Sequence, residues 1–131
     1  MQIPQATPDW SGKTILIVED EEIIRYFFEI SLKVTNANLL FANNGYEGIE
    51  KALSNESIDC ILMDIRMPIT DGYEAMKAIR KEKKDLPIIV QTAYALAYDR
   101  KRAMEAGCNE YIAKPVKLDV LFTVLGKYLG N

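Results

Sequence analysis

Four short apolar runs in this 131-residue chain each close on residues able to do chemistry. Ile15-Leu16-Ile17-Val18 closes on Glu19-Asp20, and Cys60-Ile61-Leu62-Met63 closes on Asp64. Ile88-Ile89-Val90 closes on Gln91-Thr92, and Tyr111-Ile112-Ala113 on Lys114-Pro115. Apolar runs of this length read as buried strands, and open α/β sheets place their ligands at strand carboxyl ends. If the strands are parallel neighbours, three acids, a hydroxyl and an amine meet in one acidic pocket. Two like charges about 4 Å apart repel by about 4 kcal/mol at an effective dielectric of about 20. A fold keeps such a cluster when a cation offsets it, or when raised pKa values are useful. Mg²⁺ suits an all-oxygen donor set, with Mn²⁺ as an alternative, and leaves positions for waters and phosphoryl oxygens. With Lys114 and Thr92 as further donors, such a pocket can neutralise a phosphoryl group in transfer, and a carboxylate can be its nucleophile.

Taken singly, these residues read differently. Asp20 alone is a helix N-cap, Lys114 a solvated lysine, Thr92 a turn residue and Tyr111 a core aromatic. Their joint placement at successive strand ends is what points to a phosphoryl site.

Composition narrows the chemistry further. The chain holds no histidine, which removes imidazole bases, histidine-ligated zinc and Ser-His-Asp triads. A net charge of −3 disfavours non-specific nucleic-acid binding. Cys60 and Cys108 have no metal spacing, and Cys60 sits in an expected buried strand, so a reducing cytoplasm is the simpler setting. No apolar stretch reaches membrane-spanning length and no signal peptide opens the chain.

The elements that must position these residues alternate from Lys13 onward. Strands are expected at about 14–18, 39–42, 58–63, 87–91 and 110–113. Helices are expected at about 22–34, opened at Asp71-Gly72, at 97–106 before Gly107, and at 118–128. A further helix runs to about Ser54 from an Asn44 N-cap, with Glu47 as its capping-box partner. The first helix shows the apolar stripe Ile23, Phe27, Ile30 and Val34. The third carries Met76 and Ile79 inward. The last shows Leu118, Leu121, Phe122, Leu125 and Leu129. Residues 1–12, punctuated by Pro4, Pro8 and Gly12, read as a tail or linker whose Trp10 packs on the surface of a domain spanning 13–131. Alternation of this kind implies a parallel sheet covered on both faces, in Rossmann order or in the flavodoxin-like order 2-1-3-4-5. The second order sets Glu19, Asp20 and Asp64 side by side.

These residues resemble the response-regulator receiver domain of two-component signalling. The resemblance is carried by Ile17-Val18-Glu19-Asp20-Glu21, by Leu62-Met63-Asp64-Ile65-Arg66-Met67-Pro68 with Asp71-Gly72, by Thr92-Ala93, and by Ala106-Gly107 with Tyr111-Ile112-Ala113-Lys114-Pro115. It covers about residues 13–129 and implies a single flavodoxin-like (βα)5 domain with sheet order 2-1-3-4-5. It implies that Asp64 accepts a phosphoryl group from a phosphohistidine on a partner, a sensor histidine kinase or histidine phosphotransfer domain. Asp20 and Asp64 would hold Mg²⁺, with the Arg66 backbone carbonyl as third ligand and Glu19 acting through a bound water. Lys114 and Thr92 would each bind a phosphoryl oxygen, Tyr111 would turn inward in response, and the helix 4–strand 5–helix 5 face would report the change. Arg66 and Tyr94 would flank the site and tune phosphate lifetime, and the Lys114-Pro115 bond would be cis. The resemblance is to a switch whose catalysis is limited to its own phosphorylation and dephosphorylation. Phosphorylation-dependent dimerisation is compatible with it. Gln91 departs from the family pattern, which favours a small or apolar residue, and Gly48 stands where alanine is common.

Other readings fit less well. A haloacid-dehalogenase-like phosphohydrolase needs a second aspartate where Arg66 stands. A flavodoxin-like electron carrier needs a phosphate loop where Glu19-Asp20-Glu21-Glu22 would repel phosphate. A binding-only pseudo-receiver is opposed by the complete site. A chain ending just past the last helix suits a single-domain regulator, an excised fragment, or the terminal receiver of a hybrid sensor kinase. Pro8-Asp9-Trp10-Ser11-Gly12-Lys13 favours the last, which would be the cytoplasmic part of a membrane-bound kinase.

Overall fold

The computed structural model describes residues 7–67, 69–93 and 96–130. Along it strands and helices alternate as β1 (Thr14–Val18), α1 (Glu22–Lys33), β2 (Asn38–Ala42), α2 (Gly45–Ser54), β3 (Cys60–Met63), α3 (Gly72–Glu82), β4 (Ile88–Thr92), α4 (Ala97–Ala106), β5 (Glu110–Ala113) and α5 (Leu118–Leu129). All strands pair in parallel, in the order β2-β1-β3-β4-β5. This is the flavodoxin-like order, so β1 and β3 are neighbours.

Period-two alternation divides the sheet between two cores. Leu16, Val18, Ile61, Met63, Ile88 and Val90 face one core, with Met76 and Ile79 of α3 and Ala103 of α4. Ile15, Ile17, Cys60, Leu62, Ile89 and Ile112 face the other, with Phe28 and Leu32 of α1 and Leu121 and Leu125 of α5. Burying a side chain of this size contributes about 1.5–3 kcal/mol, and every residue of β1, β3 and β4 is buried.

Local signals set several boundaries. Asn44 accepts the Glu47 N–H at 2.8 Å, while the Glu47 carboxylate accepts the Asn43 N–H at 3.1 Å, one residue before the N-cap itself. Asp71 caps α3 by accepting the Glu74 N–H at 3.0 Å. Gly107 ends α4 at φ 116°, a left-handed conformation that glycine adopts without a Cβ penalty.

Three expectations are corrected. Most of the stripe expected on α1 faces outward: Ile23, Ile30 and Val34 are 74%, 41% and 45% exposed, whereas its Phe27 is half-buried against the core and Phe28, Ser31 and Leu32 are buried. The helix has apolar residues on adjoining stripes, and the sheet took the neighbouring one. The third strand begins at Cys60; just before it the Asp59 carboxylate accepts the Thr14 N–H at 2.8 Å while the Asp59 N–H donates to the Thr14 carbonyl at 2.9 Å. Trp10 is a core residue, 1% exposed, and not a surface ornament of a tail. Its ring meets Phe122 edge-on at 5.8 Å, its indole N–H donates to the Gly130 carbonyl at 2.5 Å, and its backbone N–H donates to the Thr35 carbonyl at 2.7 Å. The folded unit therefore reaches back past the expected start at Lys13.

Candidate phosphoryl-transfer site

The site is the next step of the sheet beyond its last full rung. Val18, Met63, Val90 and Tyr111 are register partners across β1, β3, β4 and β5. The residues one step on are Glu19, Asp64, Gln91 and Ile112. Backbone bonds extend the pairing past the strand ends: the Asp64 N–H donates to the Val18 carbonyl and the Glu19 N–H to the Ala42 carbonyl, both at 3.0 Å. Parallel pairing in the 2-1-3-4-5 order is thus what brings residues distant in sequence to one edge.

Carboxylate oxygens of Glu19, Asp20 and Asp64 lie within 4.8 Å of one another. Glu19 is fully buried and Asp64 is 5% exposed. Lys114 Nζ donates to Glu19 Oε1 at 3.1 Å and lies 3.6 Å from Asp64 Oδ1. Asp64 Oδ1 also accepts the Ile65 N–H at 2.9 Å. Thr92 closes β4, buried, and its carbonyl accepts the Lys114 N–H at 2.7 Å, which ties the two strand ends together.

The electrostatics are uneven. Burial and the Glu19 charge push the Asp64 carboxyl up to about 7, against the pull of Lys114. Burial pushes Glu19 up as well, but donation from Gln91, Glu21 and Lys114 outweighs it and holds Glu19 below its usual range. Asp20 is raised by its own desolvation and by Glu19. Lys114 is raised: the carboxylates of Asp64 and Glu19 overcome the opposing effect of its burial. The residual repulsion therefore falls on Asp64 and Asp20, and an added cation would relieve both. Three carboxylate oxygens this close, with no sulfur or imidazole nitrogen among them, fit a hard divalent ion such as Mg²⁺.

Arg66 is exposed. Tyr94 and Pro68 lie outside the described residues. The Lys114-Pro115 peptide is cis. The hydroxyl of Tyr111 is already buried, without a hydrogen-bond partner among the described residues, and its ring packs against the α4 side of the core.

Sequence reasoning missed three contributors. Gln91 Nε2 donates to Glu19 Oε1 at 3.0 Å, so the apparent departure from the family pattern lies inside the site. Its only signal was a polar residue in an apolar strand, one step before Thr92. Arg25 reaches back from α1 to the Glu19 carbonyl at 2.8 Å. Gly72 lets α3 start against the Asp64 backbone: a Cβ there would lie 2.3 Å from the Asp64 carbonyl oxygen.

The family model for the response regulator receiver domain matches residues 15–126 of this chain. The chain belongs to the response regulator receiver domain family. As a receiver it is a domain of two-component signalling, and its relatives show both the fold and its settings. It is 38% identical over 131 residues to a hybrid signal transduction histidine kinase G of Dictyostelium discoideum, covering 87% of this chain and 3% of that protein. The receiver of sensor histidine kinase PA1611 from Pseudomonas aeruginosa PAO1, solved with a magnesium ion coordinated in its active-site cleft, is 35% identical. It superposes with a TM-score of 0.84 over 92% of this chain and all of that one, 100%. The receiver of Ssk1, solved in complex with the histidine phosphotransfer protein Ypd1 of Saccharomyces cerevisiae, is 27% identical. Its TM-score is 0.85, over 95% of this receiver and 92% of that chain. Among the described residues, no helix of this receiver is long and apolar enough to cross a membrane.

Proposed function

We propose that Asp64 is the phosphoacceptor of this receiver and that a histidine kinase or histidine phosphotransfer domain supplies the phosphoryl group. The observation that carries this reading is the convergence of Glu19, Asp20 and Asp64 within 4.8 Å, with Lys114 3.6 Å from Asp64. In the reaction an Asp64 carboxylate oxygen attacks phosphorus, the donor's P–N bond breaks as the O–P bond forms, and the imidazole leaves with the electron pair. Asp20 and Asp64 would hold Mg²⁺, with the Arg66 carbonyl as a further ligand and Glu19 acting through water. Mg²⁺ supplies neutralisation of phosphoryl charge. Lys114 moves its ammonium to one phosphoryl oxygen and Thr92 offers its hydroxyl to another. Arg66 and Tyr94 would tune phosphate lifetime by controlling water access, with Pro115 as a further flanking residue. Tyr111 and the α4–β5–α5 face carry the change outward. The chain having no histidine, the donor must be another domain. The receiver catalyses its own phosphorylation and dephosphorylation and works in the cytoplasm.

The reading is tested by intact mass after incubation with Mg²⁺ and acetyl phosphate, beside Asp64→Asn. Gain of one phosphoryl group by the parent alone is the expected result. Gain by both places the acceptor elsewhere. Gain by neither with Mg²⁺ bound points to a receiver that takes phosphate only from its partner, and gain by neither without Mg²⁺ binding removes the phosphoacceptor role in favour of a binding-only module.

A further inference from the structure

Glu19 Oε1 carries two donors at almost equal distance, Gln91 Nε2 at 3.0 Å and Lys114 Nζ at 3.1 Å, and Glu19 Oε2 accepts the Glu21 N–H at 3.1 Å. The carboxylate is fully buried, so its charge depends on the donors packed against it. Lys114 is nearer to Glu19 than to Asp64, yet a phosphoryl group on Asp64 would need that ammonium. Withdrawing the sole donor from a buried charged oxygen is strongly unfavourable, whereas withdrawing one of two leaves the oxygen satisfied.

The Gln91 side chain is fully buried and its Oε1 has no hydrogen-bond partner among the described residues. Its orientation is pinned, because turning the amide over would press two oxygens together. With Lys114 it lines a largely apolar cavity of about 420 Å³ shared with Ile24, Phe27, Phe28 and Val116. For stability alone the unpaired carbonyl offsets what the amide's donation contributes, so an apolar side chain would serve about as well here. What the amide does provide is a second, neutral donor to Glu19.

We propose that Gln91 is a positioning residue for phosphorylation: its amide keeps Glu19 satisfied and in place so that Lys114 can leave for a phosphoryl oxygen. The inference rests on the phosphoacceptor reading above. It makes Gln91 part of the switch, through Glu19 and Lys114 and without touching phosphate.

The test uses Gln91→Met in the full chain, which keeps the shape and removes both the donor and the unpaired oxygen. The expected result is a metal-free melting temperature equal to or above that of the parent, together with a phosphorylation rate at saturating Mg²⁺ and acetyl phosphate lowered at least about tenfold. A purely structural role would move both quantities downward together. A variant rate within twofold of the parent overturns the inference. If the variant is destabilised, the parent decides by NMR. On phosphorylation the Lys114 ammonium signal should move, while the Gln91 side-chain amide stays shifted and protected from exchange. A Gln91 amide that becomes solvent-exchanging overturns the inference. Failure of the parent both to gain phosphate and to bind Mg²⁺ overturns the phosphoacceptor reading and the inference with it; phosphorylation of parent and variant alike overturns the inference alone.

Discussion

At the scale of residues, the site stores unfavourable electrostatics that a cation or a proton can release. Asp64 is pushed from 3.8 to about 7 by burial and by Glu19. Above pH 7 the folded protein bears the cost of an ionised Asp64. As pH falls from 7 towards 4, the folded state takes up that proton before the unfolded state does, so stability rises. The raised Asp20 acts in the same sense. The lowered Glu19 acts oppositely, its contribution being present above 4.5 and lost only as pH falls below that, through its folded value. Metal-free protein should therefore melt several degrees higher at pH 5 than at pH 8, at roughly 4 °C per kcal/mol for a domain of this size. Asp64→Asn should flatten that profile and raise the melting temperature at pH 8. Thermal denaturation of both proteins across this range checks it, and a parent profile that rises towards pH 8 contradicts it. Gly48 shows a different residue-scale logic. Helix propensity alone favours alanine there by about 1 kcal/mol, but a Cβ would lie 3.0 Å from both Val18 methyls, so the glycine serves the seating of α2 on β1.

At the scale of elements, the side of the sheet opposite α1 and α5 is tied together by one arginine. Arg80, near the end of α3, donates to the carbonyls of Gly107 at 2.9 Å, Lys83 at 3.0 Å and Leu86 at 2.5 Å, and to Asn109 Oδ1 at 2.8 Å. Asn109 Oδ1 also accepts the Ile88 N–H at 2.9 Å. One side chain thus joins the ends of α3 and α4 to the entry of β4, the strand that delivers Gln91 and Thr92. Hydrogen bonds to a charged group contribute about 1.5–3 kcal/mol. Arg80→Ala should cost about 2–3 kcal/mol in urea denaturation, and Arg80→Lys should recover little, because an ammonium has no planar fork of donors. In sequence Arg80 merely opens a charged run, Arg80–Asp85, with nothing to mark it from its neighbours.

At the scale of the whole molecule, Trp10 closes the fold. It links the segment before β1 to the turn after α1 through Thr35 and to the end of α5 through Gly130 and Phe122. Trp10→Ala should cost about 3–5 kcal/mol, the usual loss for a buried tryptophan. Trp10 is the sole tryptophan, so its emission should be blue-shifted in the native parent and shift red in the same urea transition that unfolds the backbone. Emission that changes before the far-ultraviolet signal would show the segment detaching independently. The two-sided sheet explains why this matters: α1 and α5 cover one face, and Trp10 fills the end of the core they share with Ile15 and Ile17.

Sequence by itself determined the alternation of elements, because buried strands must be apolar runs and helix ends carry caps such as Asn44, Asp71 and Gly107. It also determined the identity of the acids and the lysine at the strand ends, since chemistry resides in residue types. The inward face of α5 was legible because its apolar stripe is unrivalled; that of α1 was not, because neighbouring stripes are equally apolar and only contact with the sheet selects one. Tertiary structure alone decided that Trp10 belongs to the core, that Arg80 bridges three backbone segments, and that Gln91 faces Glu19. Each depends on contacts between residues far apart in the chain, 120 positions for Trp10 and Gly130 and 72 for Gln91 and Glu19. Such contacts leave no period in the sequence, and only the parallel register of the closed sheet creates them.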